Sequence, residues 1–172
     1  MGQCRIAGGN NITRATMKFN HLIQINDPLN PLIDPLTREQ LWRGLVMRAE
    51  SPQLFMPHLD DCRLLEKSLD SVRRELRYGE LVIIDQVSYL PQIQVLYDVP
   101  AQGDIPASRM SMTIEEPQAE VLFVRFEYDD GQPEDAGGAE AFYNDFRRSA
   151  YQEADIDTIR IIRELTQRGE LH

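Results

Sequence analysis

The chain places six strand-like segments one after another between residues 62 and 128 and follows them with a single long amphipathic helix. Strands joined by short turns pair antiparallel, because a parallel pairing needs a long crossover connection. An earlier segment, 17–26, alternates apolar and polar side chains with a period of two and predicts a half-buried strand. A seven-stranded sheet has one apolar face that must be covered, and the final helix is the only large element available for this.

The limits of these elements follow from periodicity and from chain breakers. A capping box at Thr37 and Gln40 predicts a short helix after the first strand. The long helix begins near Ala139, and Gly169 suits its end because glycine readily adopts the left-handed conformation of a C-terminal cap. The predicted strands cover residues 17–26, 62–68, 71–78, 81–90, 92–99, 109–116 and 119–128. The sequence thus predicts an α+β protein.

A length of 172 residues fits a single domain. Residues 1–16 are mostly small and polar, with two glycines and two asparagines at 8–11, and they predict a flexible N-terminal extension. Residues 17–172 contain all of the periodic segments. We therefore expect one folded domain that begins at Met17.

The charge of the chain disfavours some partners. Its 28 acidic residues outnumber its 18 basic residues, which gives a formal net charge of −10. This excess disfavours binding to nucleic acid or to an anionic membrane surface, because both are negatively charged. The sequence has no apolar run that could span a bilayer, no disulfide framework and no signal-peptide pattern. We therefore expect a cytoplasmic protein without membrane insertion, and the sequence leaves the oligomeric state open.

No common catalytic or cofactor-binding motif occurs in the sequence. It lacks the glycine patterns of phosphate and dinucleotide sites, the serine-nucleophile motif, and the histidine and cysteine motifs of zinc sites. Its three histidines, His21, His58 and His172, do not have the spacing of metal ligands. We expect neither a metal site nor a cofactor, and the sequence leaves open whether the protein is an enzyme.

Four segments carry a resemblance to a known family: MKFNHLIQIND, TREQLWRGLVMRAESP, LVIIDQVSYLPQIQVLYDVP and EAFYNDFRRSAYQEADIDTIRIIREL. Their order and spacing, from Met17 to about Leu171, resemble the START/Bet v 1-like (SRPBCC) superfamily, and most of all its DUF1857-type PR-10-like proteins. The resemblance implies a helix-grip fold, in which a curved seven-stranded antiparallel sheet wraps around the C-terminal helix. It also implies a cavity for a small hydrophobic ligand, without indicating a substrate or catalytic residues.

Asp85 interrupts an otherwise apolar strand and can be interpreted in two ways. If the face with Val87 and Tyr89 points toward the final helix, Asp85 faces the interior and needs a partner, because an unpaired buried charge is costly. Arg74 or His21 could be that partner. Alternatively, a bulge shifts the register by one residue and places Asp85 in water. The sequence does not decide between these two arrangements.

His21 shares a strand face with Phe19 and Ile23. It is either a group that exchanges a proton with a ligand, because histidine titrates near neutrality, or a buried side chain with an internal partner. Aromatic residues and methionines could form the rest of the cavity wall. The candidate ligand-binding residues are His21, Arg74, Asp85, Tyr89, Tyr97, Met110, Met112, Phe126, Phe142 and Phe146.

Three functions are compatible with the sequence. The first is binding of a hydrophobic or amphipathic small molecule in a cavity between the sheet and the C-terminal helix. The second is a cyclase- or aromatase-like enzyme of secondary metabolism, in which at least two of His21, Arg74 and Asp85 converge as acid–base groups. The third is a protein-interaction module with a closed core and an acidic surface.

Overall fold

The structure, a computed structural model, describes residues 16–133 and 139–171. Most of the predicted N-terminal extension, residues 1–15, lies outside the described residues. A short 3-10 turn, Pro52–Leu54, follows the first helix, in a segment that was not predicted to be helical. The other elements are β1 (Thr16–Gln24), α1 (Arg38–Glu50), β2 (Asp61–Lys67), β3 (Ser71–Tyr78), β4 (Leu81–Leu90), β5 (Gln94–Val99), β6 (Ser108–Gln118), β7 (Val121–Pro133) and α2 (Ala139–Gln167).

The described strands form one antiparallel sheet with the order β1-β7-β6-β5-β4-β3-β2. Consecutive strands from β2 to β7 are neighbours, as their short connections require. The first strand pairs with the last, which leaves β1 and β2 at the edges of the sheet. Buried residues of α1 and α2 pack against the strands in one core cluster. The predicted helix-grip fold is confirmed.

Alternation along each strand divides the sheet into an inner face, toward the helices, and an outer face. Inner side chains line up across neighbouring strands in register. One row consists of Tyr89, Val95, Met112, Phe126 and His21. The adjacent row consists of Val87, Tyr97, Met110, Tyr128 and Phe19. Most of the predicted cavity residues therefore lie on one continuous inner wall.

The α1 helix begins with the predicted capping box. The backbone N–H of Gln40 donates to Thr37 Oγ1 (3.0 Å), and the backbone N–H of Thr37 donates to Gln40 Oε1 (2.9 Å). These bonds satisfy N–H groups that have no partner within the helix. Gly44 lets α1 approach α2 closely, because a Cβ atom at this position would lie 2.5 Å from Ile162 Cγ2.

The α2 helix buries a stripe that differs in part from the predicted one. Phe146, predicted to line the cavity, is 67% exposed. It lies about two and a half turns before Asp155 and therefore on the opposite side of the helix. The prediction followed the apolar residues, whereas polar residues occupy part of the buried stripe. In the described part of α2, the buried residues are Asn144, Asp155, Thr158, Ile159, Ile162 and Leu165. Phe142 belongs to α2, but its side chain is outside the described residues.

The end of α2 confirms the predicted glycine cap. Gly169 has a φ of +68°, a conformation that glycine adopts without the steric penalty of a Cβ atom. The N–H of Glu170 donates to the carbonyl of Leu165 (2.9 Å), and the N–H of Gly169 donates to that of Thr166 (3.1 Å). These are the two hydrogen bonds of a Schellman motif.

Candidate functional site

Arg74 and Asp85 lie directly opposite each other on β3 and β4, on the inner face of the sheet. Arg74 Nε donates to Asp85 Oδ1 (2.8 Å), and Arg74 Nη2 donates to Asp85 Oδ2 (2.5 Å). The two side chains are 2% and 3% exposed. Of the two arrangements that the sequence allowed, the one with Asp85 inside and Arg74 beside it is therefore confirmed.

This ion pair has little hydrogen-bonding capacity left for a ligand. Arg74 Nη1 donates to the backbone carbonyl of Ala49 (2.8 Å), so each guanidinium nitrogen has an acceptor. Burial alone would lower the pKa of Arg74, but the hydrogen bonds and the charge of Asp85 outweigh it and raise this pKa above its ordinary value. The pair therefore acts mainly as a structural link between the sheet and the end of α1.

A second polar cluster lies around Asp155 of α2, a fully buried carboxyl group. The Tyr128 hydroxyl donates a hydrogen bond to Asp155 Oδ1. The other oxygen, Oδ2, lies 3.6 Å from His21 Nδ1, which is too long for a hydrogen bond. Both of these atoms are buried and lack a hydrogen-bond partner among the described residues. This Asp155 cluster (His21, Tyr128 and Asp155) therefore has hydrogen-bonding capacity that the described residues do not use.

The surroundings of Asp155 move its pKa toward neutrality. Burial raises the pKa of Asp155 from 3.8 to about 6, although the Tyr128 hydrogen bond and the charge of Arg48 act in the opposite direction. Burial, together with the nearby Asp155 charge, also raises the pKa of Tyr128, which therefore remains a hydrogen-bond donor at neutral pH. A carboxyl group with a pKa near 6 can accept and release a proton close to physiological pH.

Arg48, near the end of α1, adds a buried charge to the same interior. It is 8% exposed, and its Nε donates to Thr158 Oγ1 (3.3 Å). Its guanidinium lies 5.2 Å from the centre of the Tyr97 ring, and the guanidinium of Arg74 lies 5.1 Å from the same ring. The Tyr97 hydroxyl is buried without a hydrogen-bond partner among the described residues. Tyr97 therefore contacts two cations and still has a free hydroxyl.

Aromatic rings surround Tyr128, the hydrogen-bond partner of Asp155. The Tyr128 and Tyr151 rings stack at 4.1 Å and 12° from parallel, and Phe19 lies 6.2 Å from Tyr128 and 6.3 Å from Tyr151. The Tyr151 hydroxyl donates to Asp130 Oδ2 (3.0 Å), which holds its ring in place. Apolar walls with a few polar atoms are the usual composition of a small-molecule site.

The structure brings only some of the predicted site residues together. Arg74 and Asp85 meet as predicted, but they satisfy each other. His21 lies beside Asp155 rather than beside Asp85. Phe146 points away from the interior. The roles as ligand contacts stay predictions for five residues that lie on the inner wall: Tyr89, Tyr97, Met110, Met112 and Phe126.

Sequence reasoning missed Arg48, Asp155 and Thr158. A usable signal existed for Arg48, because it follows Leu45 by three residues on the apolar stripe of α1, where a charge is unexpected. Asp155 gave no comparable signal, since it lies in a segment of α2 that is rich in acidic residues. Polar residues that face an interior from a mixed helix cannot be separated from solvent-facing ones by spacing alone.

The surface of the described residues includes two clefts of similar volume. The first, of about 580 Å³, is lined mostly by outer-face residues such as Lys18, Leu96 and Glu127. The second, of about 590 Å³, lies between the proline-rich segment 26–38 and the turn from β6 to β7. No residue of α2 lines either cleft, so neither is the predicted cavity between the sheet and the final helix. Long side chains that project from both layers, including Arg48, occupy part of that space.

A family model described as acetylaranotin biosynthesis cluster protein L (AtaL) matches residues 23–169. This match runs from β1 through all later strands to the end of α2. The chain belongs to the AtaL family. No curated protein sequence matches it.

Solved structures support the fold of this AtaL-family chain. The di-domain aromatase/cyclase StfQ from the steffimycin pathway aligns with a TM-score of 0.62 and 9% identity, over 84% of this chain and 48% of its own length. The aromatase/cyclase ZhuI from Streptomyces sp. R1128 gives 0.58 and 11%, over 89% and 94% of the two chains. A START superfamily protein from Mycobacterium smegmatis gives 0.59 and 12%, over 86% and 98%. This likeness establishes the START/Bet v 1-like fold that the sequence predicted.

Other kinds of site find no support in the part of the chain that the structure describes. None of its helices is both long and apolar enough to cross a membrane. None of its histidine, cysteine, aspartate and glutamate side chains form a group of three or more suited to a metal ion. The polar interior between the sheet and α2 is the candidate site because several of its buried polar atoms lack a hydrogen-bond partner among the described residues.

Proposed function

We propose that this AtaL-family protein binds a small amphipathic molecule in the interior between the sheet and α2, with the polar part of the ligand at the Asp155 cluster. The observation that carries the proposal is that three polar atoms of the interior are buried without a hydrogen-bond partner among the described residues: His21 Nδ1, Asp155 Oδ2 and the Tyr97 hydroxyl. Such atoms are rare in native proteins, because leaving them unpaired costs free energy. A ligand that supplies the missing hydrogen bonds removes this cost.

The walls around these atoms suit the apolar part of such a molecule. Met110 and Met112 face the interior from β6, next to the aromatic rings of Tyr128 and Phe126. Methionine side chains adapt to ligands of different shape because they are flexible and polarizable. Two structural neighbours are aromatase/cyclases, which supports a small-molecule site in this fold.

A second function, acid–base catalysis such as a cyclisation of the bound molecule, is favoured by one further observation. The pKa of Asp155 is raised to about 6, and His21 lies beside it. Groups with shifted pKa values often occur at catalytic sites. In this alternative, Asp155 exchanges a proton with the bound molecule, and Tyr128 orients the Asp155 carboxyl group through its hydrogen bond. Arg74 and Asp85 take no part because they are bound to each other.

The binding proposal can be tested by NMR with ¹³C-methyl methionine and the neutral probe N-phenyl-1-naphthylamine. A probe in the interior should shift the methyl resonance of Met112, which is fully buried on the inner wall. Met56, which lies in the connector between α1 and β2 and accepts a hydrogen bond from Tyr78 (3.4 Å), is an internal control. Met112→Leu assigns the resonance with little change in side-chain volume.

The outcomes of this NMR experiment separate the functions. A shift of Met112 without a shift of Met56 supports interior binding. If the probe binds without shifting Met112, it occupies one of the outer clefts and the proposed site is wrong. If the probe does not bind, the protein-interaction module becomes the better interpretation.

Native mass spectrometry of protein purified from its own host separates binding from catalysis. A binding protein should carry the same small molecule in the wild type and in Asp155→Asn. An enzyme should carry product or nothing in the wild type and accumulate substrate in Asp155→Asn, with a mass difference that identifies the reaction. Identical retained masses would therefore argue against the catalytic alternative.

A further inference from the structure

Arg48 is a buried cation without an ion-pair partner among the described residues. It is 8% exposed, and no ion pair among the described residues includes it. Its one side-chain hydrogen bond, from Nε to Thr158 Oγ1, is long at 3.3 Å. Its remaining polar neighbour is the Tyr97 hydroxyl, a neutral group that interacts with the guanidinium without balancing its charge. Buried charges are normally paired, because removing a charge from water is costly.

Arg74 shows how the same fold treats a buried arginine that has a structural role. Its three guanidinium nitrogens donate to Asp85 and to the carbonyl of Ala49. Both arginines lie against the ring of Tyr97, at 5.1 Å and 5.2 Å from its centre. They therefore share one interior but differ in their partners, and only Arg48 retains its hydrogen-bonding face.

Asp155 does not form an ion pair with Arg48. The charge of Arg48 is close enough to act on the pKa of Asp155, but the two groups form no ion pair, and Asp155 accepts its hydrogen bond from Tyr128. Thr158 cannot neutralise Arg48 either, since its hydroxyl donates to the carbonyl of Ala154 (2.9 Å) and offers Arg48 a neutral acceptor. The acceptor that suits the free side of this guanidinium must come from outside the described residues.

We propose that Arg48 binds an oxyanion of the ligand, such as a carboxylate, so that the natural ligand is an organic acid with an apolar body. This inference rests on the proposed interior binding site and specifies the class of molecule that the site accepts. A guanidinium matches a carboxylate because its planar N–H groups form two parallel hydrogen bonds. The unpartnered Tyr97 hydroxyl can donate to the same anion.

A matched pair of fluorescent probes tests this inference. The compounds 1-anilinonaphthalene-8-sulfonate and N-phenyl-1-naphthylamine share one ring system, and only the first carries an anionic group. Fluorescence titrations give the dissociation constant of each probe for the wild type, for Arg48→Met and for Arg73→Met. Arg73 is the control, because this arginine lies on β3 and its side chain is exposed to solvent.

Arg48→Met should weaken binding of the anionic probe by about tenfold or more, because a charge-assisted hydrogen bond is lost. It should change the dissociation constant of the neutral probe by less than about twofold, because the apolar wall of the interior is kept. Arg73→Met should change neither. Equal weakening of both probes by Arg48→Met, or no weakening of the anionic probe, would overturn the inference.

Two milder variants keep the test decisive if Arg48→Met does not fold. Arg48→Lys retains the charge but loses the planar fork, and Thr158→Val removes the acceptor that orients Nε. Both should selectively weaken the anionic probe, and equal effects on the two probes would contradict the inference. If the neutral probe shifts the Met112 resonance but the affinity for the anionic probe does not depend on Arg48, only the acid-binding inference fails. If the neutral probe does not reach Met112, the proposed function fails as well.

Discussion

Arg74 and Asp85 form the most deeply buried ion pair of the described residues. Arg74→Met would leave the Asp85 carboxylate without its cation, and we expect this to lower the free energy of unfolding by about 3–5 kcal/mol. The double variant with Asp85→Leu should lose less than the sum of the two single variants, because it leaves no unpaired charge. Urea unfolding of the three variants measures these differences.

An exposed pair provides the control for this prediction. Arg63 lies 3.6 Å from Glu75, and its side chain is 64% exposed. We expect Arg63→Met to cost less than about 1 kcal/mol, since solvent screens such pairs. A loss in Arg74→Met no larger than that in Arg63→Met would show that the buried pair does not hold the sheet and α1 together.

Asp155 should make the stability of the protein depend on pH in a defined window. Its pKa is raised from 3.8 to about 6, so the folded state binds a proton that the unfolded state releases between these values. Its contribution to stability is fully present below pH 3.8 and is lost as the pH rises through about 6. Asp155→Asn stays neutral, so its stability relative to the wild type should increase as the pH rises through this window.

Urea unfolding at several pH values from about 4 to about 7 gives this difference directly. Asp157→Asn is the matched control, because Asp157 lies on the same helix with its side chain 58% exposed. The control should follow the wild type at each pH. A constant difference between Asp155→Asn and the wild type would show that Asp155 does not titrate in this window.

At the scale of elements, the contact between α1 and α2 depends on Gly44. A Cβ atom there would lie between 2.5 and 2.9 Å from three atoms of the buried Ile162 side chain. Gly44→Ala should therefore destabilise the protein, although alanine alone favours a helix by about 1 kcal/mol over glycine. The double variant with Ile162→Ala should lose less stability than the sum of the two single variants, because the truncated side chain leaves space for the new methyl group.

Thermal unfolding of the single and double variants measures this coupling. Gly79→Ala is a useful comparison, because a Cβ atom at Gly79 would meet nothing within 4 Å and the strain there comes from its φ of +60° alone. Ile162→Ala should not relieve that strain. If Gly44→Ala stabilises the protein, the helices adjust without cost and the close packing has no structural role.

The elements that the sequence predicted well are those whose pattern is set by burial on one face. β3 and β4 have the predicted limits of 71–78 and 81–90, because their alternation is regular and their connection is short. The buried stripe of α2 was predicted less well, since Asp155 and Thr158 lie within it. Apolar periodicity locates a buried face only where that face is apolar.

The candidate site is a property of the whole molecule, and this explains why the sequence predicted His21 and Tyr97 but not Arg48 and Asp155. Its polar atoms come from β1, α1, β5, β7 and α2, which are far apart along the chain. No motif joins them, because their spacing in the sequence reflects the topology of the sheet rather than local geometry. By contrast, Arg74 and Asp85 belong to adjacent strands joined by a short turn, and alternation was enough to suggest their pairing.

The whole molecule should unfold as one unit, because one core cluster joins α1, the sheet and α2. Trp42, the single tryptophan, packs edge-on against Tyr89 at 6.2 Å and reports on α1 and the sheet. Its fluorescence and the far-UV circular dichroism should therefore give the same unfolding midpoint. N-phenyl-1-naphthylamine at about 100 times its dissociation constant should raise the free energy of unfolding by about 2.7 kcal/mol, whether unfolding is followed by fluorescence or by circular dichroism. A loss of helical signal before Trp42 changes, in the absence of ligand, would instead show that α2 leaves the sheet in a separate step.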